Sequence, residues 1–220
     1  MSNAIDLVTL REPSSTLSEA YRTLRMNLQY ATLDRSLHSL VLTSPGPDEG
    51  KSTTLSNLAV TMAQVERRIL MVDCDLRRPR LHEIFGLENS VGFTTMMLDD
   101  AMLDSPPIVE TGVENLALLP SGPLPPRPAD LLGSLRMDAV VERLLKEYDM
   151  LLFDAPPVVG VTDAIVLATK VDAVLLVVSA GETKREQAQS AIERLRAVNA
   201  HIVGSVLNNA PITASLSSYY

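Results

Sequence analysis

The run Thr43-Ser44-Pro45-Gly46-Pro47-Asp48-Glu49-Gly50-Lys51-Ser52-Thr53-Thr54 follows a short apolar stretch and opens a helical pattern. Residue types in that order suit a phosphate group. Backbone N–H groups of a glycine-containing turn and a helix start face an anion, a lysine reaches the β/γ-phosphates, and a hydroxyl ligates Mg²⁺. On this reading Asp48, Glu49, Gly50, Lys51, Ser52 and Thr53 form a nucleotide-binding loop. The match to G-x-x-x-x-G-K-[ST] is incomplete, because Pro45 takes the first glycine's place and Gly46 comes one position later. Asp48 and Glu49 also put two carboxylates beside the anion nest, which requires both side chains to point outward. The competing reading is a Gly/Pro turn ahead of a capped helix. Two acidic positions weigh against it. The apolar run 69–72 ends in Asp73-Cys74-Asp75, and the run 150–153 ends in Asp154. Each puts a carboxylate at the C-terminal end of a buried strand, the edge where open parallel sheets bind ligands. Acids there hold Mg²⁺ directly or through water, and one can accept a hydroxyl proton. Either acid alone reads equally well as a cap or turn residue, but all three features in one order point to phosphate chemistry.

The elements that must position these residues alternate between two periods. Apolar runs at 40–43, 69–73, 116–119, 151–154, 173–178 and 202–207 read as buried strands. Amphipathic stretches at 51–67, 129–147 and 183–198 read as helices between them. This alternation predicts an α/β fold of three layers, α/β/α, with a mostly parallel central sheet. Strands without in/out alternation are those of a sheet covered on both faces. A further helix is predicted at about 16–32, where Thr16 and Glu19 have capping-box spacing and Leu17, Tyr21, Leu24 and Leu28 recur at helical spacing. The proline-rich stretch 122–128 reads as a rigid loop within one domain spanning 1–220, because no shift of composition follows it.

Composition excludes several classes. In 220 residues, 19 Lys+Arg against 27 Asp+Glu give a net charge of −8, which argues against nucleic acid as a partner. The 46% hydrophobic content excludes a disordered chain. The single Cys74 allows no internal disulfide and fits a reducing compartment. Its two acidic neighbours should raise its pKa and make it a poor nucleophile. No apolar stretch approaches membrane-span length, and the first residues do not read as a signal peptide.

Taken together, these motifs resemble the bacterial tyrosine kinases, the P-loop kinases related to MinD and ParA ATPases that control capsule and exopolysaccharide synthesis. The likeness runs from about Ser14 to Tyr220. The loop ending in Lys51-Ser52 resembles the family's Walker A, the segment 69–77 with Asp73, Asp75 and Arg77 its Walker A′, and 151–156 its Walker B. Glu19, Arg22 and Arg25 match an E-x-x-R-x-x-R motif, 121–132 a proline-rich segment, and Tyr219-Tyr220 a terminal tyrosine cluster. The resemblance implies ATP and Mg²⁺ as cofactors, with Lys51 and Ser52 on the phosphates and metal and Asp73 and Asp154 supporting the metal. It implies Asp75 as the base for the acceptor tyrosine, with Asp73 as competitor, and Asn208 as an adenine contact. Glu19, Arg22 and Arg25 would form the interface of a homo-oligomeric ring, with an octamer as the candidate size. Tyr219 and Tyr220 would be phosphorylated in trans. The implied partners are a membrane-anchored activator or a fused N-terminal membrane portion, and other tyrosine-bearing proteins, at the inner face of the cell membrane. Gly46 stands where MinD-like ATPases carry an extra lysine, which favours the kinase branch over a hydrolytic switch. The terminal cluster, at two tyrosines, is shorter than is usual in the family.

The remaining residues are read more plainly. Spacing alone makes Glu19, Arg22 and Arg25 a solvated helix face with a local ion pair. Arg77, Arg78 and Arg80 either neutralise phosphate charge or lie in a solvated loop. Tyr21, Tyr30 and Tyr148 are expected to pack rather than accept phosphate, and Met96-Met97 to lie in the core or a lid. His38, His82 and His201 lack zinc-ligand spacing.

Overall fold

The short apolar runs are strands because each is too brief for a helix, and five of the six are buried almost throughout; the run 202–207, expected to be buried as well, lies at the sheet edge with Ser205 and Leu207 exposed. The computed structural model describes residues 6–31 and 36–211. Its strands are β1 (Ser39–Thr43), β2 (Ile69–Asp73), β3 (Val109–Glu110), β4 (Leu116–Leu119), β5 (Met150–Asp154), β6 (Ala173–Ser179) and β7 (Ile202–Asn208). The helices before the phosphate loop are α1 (Val8–Arg11) and α2 (Thr16–Ala31), and α3 (Lys51–Ala63) follows it. Then come α4 (Leu81–Phe85), α5 (Phe93–Leu98), α6 (Ala101–Asp104), α7 (Pro128–Leu132), α8 (Leu135–Leu144), α9 (Asp163–Leu167) and α10 (Arg185–Ala197).

The seven strands of the described residues form one sheet in the order β3-β4-β2-β5-β1-β6-β7. Every pairing is parallel except β3 with β4. Side chains alternate between two cores, as the two-residue strand period demands. Leu40, Leu42, Met71, Leu152 and Leu175 join α3 on one face. Val41, Val72, Phe153 and Val174 join α8 and α10 on the other. Helices therefore cover both faces, and the predicted α/β/α sandwich with a mostly parallel sheet is the observed fold.

Several boundaries differ from the sequence reading. The 51–67 helix stops at Ala63, and Glu66 turns the chain at φ 60°. The 129–147 segment is two helices, broken after Leu132 where Gly133 and Ser134 intervene. β3 carries no periodic signal at two residues. α3 is not amphipathic in place, since α1 and α2 cover the face turned from the sheet. Asn57 on α3 accepts bonds from the Thr9 N–H and hydroxyl of α1. The start of α2 is capped by Ser15, whose hydroxyl accepts the Ser18 N–H at 3.2 Å, and not by a Thr16/Glu19 box. The Ser18 hydroxyl then donates to the carbonyls of Val8 and Glu12, tying α1 to α2.

Candidate phosphate-binding and transfer site

Parallel register sets the acids side by side. Asp73 and Asp154 are paired residues at the ends of β2 and β5, and β1 delivers its loop from the same edge. The first half of that loop is held from behind by the segment leaving β5. Val158 and Val159 donate to the carbonyls of Ser44 and Pro45, and the Thr43 hydroxyl donates to Pro156 O. Asp48 takes φ 58° and faces solvent. Gly50 takes φ 82° at the start of α3, a left-handed conformation that glycine adopts without strain. A Cβ there would lie 2.1 Å from Asn208 Nδ2, so Asn208 and Gly50 are in close apposition. The Asn208 amide donates to Glu49 O at 3.0 Å.

Glu49 corrects the sequence reading. Its side chain is buried and turns inward, its carboxylate accepting the Gly46 N–H at 3.2 Å. The loop thus staples itself with its own carboxylate, and burial raises the Glu49 pKa above the ordinary glutamate value. Only Asp48 points outward as expected.

Lys51 reaches across the edge to the acids. Its ammonium lies 2.7 Å from Asp75 Oδ2 and 3.7 Å from Asp154 Oδ1. Burial by itself would depress the Lys51 pKa, but Asp154, Asp75 and Asp73 outweigh it and hold the ammonium above the ordinary lysine value. The Ser52 hydroxyl donates to Asp154 Oδ2 at 2.5 Å. Asp154 Oδ1 accepts no hydrogen bond although it is buried. Burial pushes the Asp154 carboxyl up, while Lys51 and Ser52 pull it back.

The structure separates Asp73 from Asp75. Asp73 is wholly buried, and both of its oxygens accept backbone N–H groups: Asp75 on Oδ1, and Arg80 and Leu81 on Oδ2. Burial and the neighbouring Asp154 hold its carboxyl well above the usual carboxylate range. Asp75 turns Oδ1 to the N–H groups of Arg77 and Arg78 and Oδ2 to Lys51. It lines a cleft of ≈ 360 Å³ with Gly50, Lys51, Ser52, Thr53 and Arg78. A second groove of ≈ 550 Å³ opens between α2 and the end of β7, and Tyr21, Thr53, Asn57, Asn208 and Pro211 line it.

The donors fit a hard cation. Ser52 Oγ and a buried Asp154 oxygen without a hydrogen bond are oxygen ligands of the kind Mg²⁺ takes. Among the described residues no three His, Cys, Asp or Glu side chains converge as a cage, so a cation here would draw its other oxygens from phosphates and water.

Other predicted residues fall elsewhere. Glu19 pairs with Arg22 at 2.8 Å, Arg22 also donates to Pro13 O, and Arg25 donates to Thr61 O at 2.7 Å near the end of α3. These three lie on α2, away from the Lys51 cleft. Tyr30 is 61% exposed, contrary to the packing expected of it, whereas Tyr21 lies in the α2–β7 groove and Met96 and Met97 are core residues. Cys74 is fully buried, and burial more than its acidic neighbours lifts its thiol pKa. Tyr219 and Tyr220 lie outside the described residues. Sequence reasoning missed Asp163, a wholly buried carboxylate bound to Arg77. The only local signal was Thr162-Asp163 at a helix start, and nothing in the sequence joins that to the β2 turn.

Comparison with known proteins places this geometry. The family model described as an AAA domain matches residues 48–206. Tyrosine-protein kinase YwqD of Bacillus subtilis (strain 168) is 39% identical over 94% of this chain and 87% of its own length. Putative tyrosine-protein kinase CapB of Staphylococcus aureus is 36% identical, over 95% of this chain and 91% of its own. Tyrosine-protein kinase etk of Escherichia coli (strain K12) is 30% identical over 98% of this chain, but the match spans only 30% of that longer protein. The solved kinase domain of Escherichia coli ETK superposes with a TM-score of 0.91 over 98% of this chain and 84% of that one. A chain with this sheet, loop and acid pair, matched along nearly its full length by two such relatives, belongs to the bacterial tyrosine-protein kinase family.

Proposed function

We propose that this chain is an Mg-ATP-dependent protein-tyrosine kinase that phosphorylates tyrosines of its own C-terminus in trans. The observation carrying the reading is the cleft in which Lys51 and Ser52 of a phosphate loop face the Asp75 carboxylate. Phosphoryl transfer needs positioning and charge neutralisation more than covalent help. Asp48, Glu49, Gly50 and Thr53 shape the loop that would hold the β- and γ-phosphates, and Lys51 would exchange its carboxylate partner for them. Asp75, relieved of that cation, would take the proton of the incoming phenol, which is mostly protonated near neutral pH. Ser52 and Asp154 would hold Mg²⁺, with Asp73 supporting them from behind. The metal supplies neutralisation of phosphate charge. Asn208, at the wall of the second groove, would contact the adenine.

The coarser assignments extend outward from the site. Glu19, Arg22 and Arg25 would meet a second copy in a ring, in which one subunit's tail, with Tyr219 and Tyr220, enters its neighbour's cleft. Each phosphate adds about −1.5 to −2 charges and would loosen such a ring by repulsion. No helix of the described residues is long and apolar enough to cross a membrane. Attachment to the inner membrane face would come through an activator protein or a fused segment, consistent with relatives much longer than this chain. The cellular role proposed is control of capsule or exopolysaccharide synthesis and export, with further tyrosine-bearing substrates.

The test is to incubate the purified chain with Mg-ATP and follow phosphotyrosine and inorganic phosphate together. Wild type should form phosphotyrosine. Asp75→Asn should lose about 10²-fold or more in transfer rate while still binding ADP. Release of inorganic phosphate without phosphotyrosine would replace this reading with an ATPase switch, in which water is the acceptor.

A further inference from the structure

The turn after β2 carries three arginines, and the structure commits each differently. Arg80 pairs with Glu83 at 2.7 Å. Arg78 lines the cleft. Arg77 reaches to α9, where its Nε and Nη2 donate to the two oxygens of Asp163 at 2.8 and 3.1 Å. Asp163 is 0% exposed, while the Arg77 side chain is 45% exposed. Two parallel bonds to one carboxylate fix a guanidinium in rotation as well as position. A carboxylate buried this deeply is costly without its partner, so the clasp does not open freely.

The residue it fixes also donates to the proposed base. The Arg77 and Arg78 backbone N–H groups donate to Asp75 Oδ1 at 3.4 and 3.0 Å, which turns Oδ2 toward Lys51. On the other side, α9 begins a few residues after Val158 and Val159, whose N–H groups hold Ser44 and Pro45 at the start of the phosphate loop. The clasp thereby ties the turn bearing Asp75 to the segment that buttresses the loop. A surface ion pair would not do this. Here the buried member sits on the element that leads away from Asp154.

We propose that Asp163 is a positioning residue for phosphoryl transfer: acting through Arg77, it holds the Asp75 carboxylate in register with the phosphate loop. This rests on the kinase reading above. It concerns residues away from the nucleotide itself, so it predicts an effect on turnover and not on nucleotide affinity.

The test uses two variants of the full chain, Asp163→Asn and Arg77→Lys. The first is nearly isosteric. The second keeps the charge but loses the planar fork, and its partly exposed position makes it the safer variant should Asp163→Asn fail to fold. Rates of phosphotyrosine formation, KM for ATP, ADP affinity and the thermal midpoint are measured together. Misplacement of a reacting group by about 1 Å costs on the order of 10²-fold, so kcat should fall at least about tenfold in both. KM and ADP affinity should stay within about threefold of wild type. Unchanged kcat per folded molecule, with only a lowered thermal midpoint, would reduce the pair to a stability contact and overturn the proposal. So would a raised KM with unchanged kcat. If wild type itself formed no phosphotyrosine, the kinase reading would fall and the clasp's role with it. If wild type transfers and both variants match it, the clasp alone falls.

Discussion

Lys51 is a cation whose place depends on its anions. It holds the carboxyls of Asp73 and Asp154 below where burial would otherwise lift them. Lys51→Met therefore leaves a cluster of buried acids without their cation. An acid whose folded pKa exceeds its unfolded value stabilises the fold as pH drops, and that contribution is lost as pH rises through the folded pKa. The nucleotide-free, metal-chelated variant should thus lose about 3 kcal/mol near pH 8 in denaturant titrations, and less near pH 5. A deficit constant across that range would contradict the charge account. Gly50→Ala tests the loop itself. The new Cβ would meet Asn208 Nδ2, and a left-handed backbone disfavours it as well. ADP affinity should fall by at least about tenfold, with a modest loss of stability of roughly 1–2 kcal/mol. Unaltered affinity by calorimetry would show that the loop does not need this backbone. At this scale Lys51, Ser52, Asp73, Asp75 and Asp154 were legible as a group because each lies within three residues after an apolar run or a glycine turn. Glu49 was not, because the direction of a side chain in a turn depends on backbone angles such as Asp48's positive φ, which residue types leave open.

Elements were legible where their period was long or their strand fully apolar. Of the six anticipated strand runs, 69–73 and 116–119 coincide with β2 and β4, and the other four each differ from the observed strand by one residue at one end. Ends were less legible. The capping site shows why: Ser15 and Thr16 are both good caps by type, and only the connection to α1 through Ser18 selects between them. Ser15→Ala should cost about 1 kcal/mol, a fall of roughly 2–4 °C in thermal midpoint for a chain of this size. Thr16→Ala should cost much less. Equal losses would restore the capping box that the sequence suggested. Arg25 belongs to this scale too. Its bond to Thr61 O sits at the carbonyl end of α3, where a cation interacts favourably with the helix dipole. Arg25→Ala should therefore lower the stability of the isolated chain by about 0.5–1 kcal/mol in equilibrium unfolding. No loss there, with a change confined to assembly, would leave it an interface residue only.

At the scale of the molecule, the parallel sheet does the assembling. Strands 81 residues apart in sequence, β2 and β5, bring Asp73 and Asp154 into register, and β1 between β5 and β6 delivers the loop to the same edge. The α/β/α order was legible because apolar strands without alternation require cover on both faces. The connection of Arg77 to Asp163 was not, because it joins distant parts of the chain through side chains alone. The central claim is that this cleft moves a phosphoryl group from ATP to tyrosine on another copy. It is tested most directly by mixing Lys51→Met with a Tyr219→Phe/Tyr220→Phe double variant in Mg-ATP and weighing each chain. The first lacks the phosphate lysine and the second lacks acceptors, so neither should modify itself. The account predicts phosphate on the Lys51→Met chain, at Tyr219 or Tyr220, only in the mixture. An unmodified Lys51→Met chain beside a double variant that releases inorganic phosphate would contradict it.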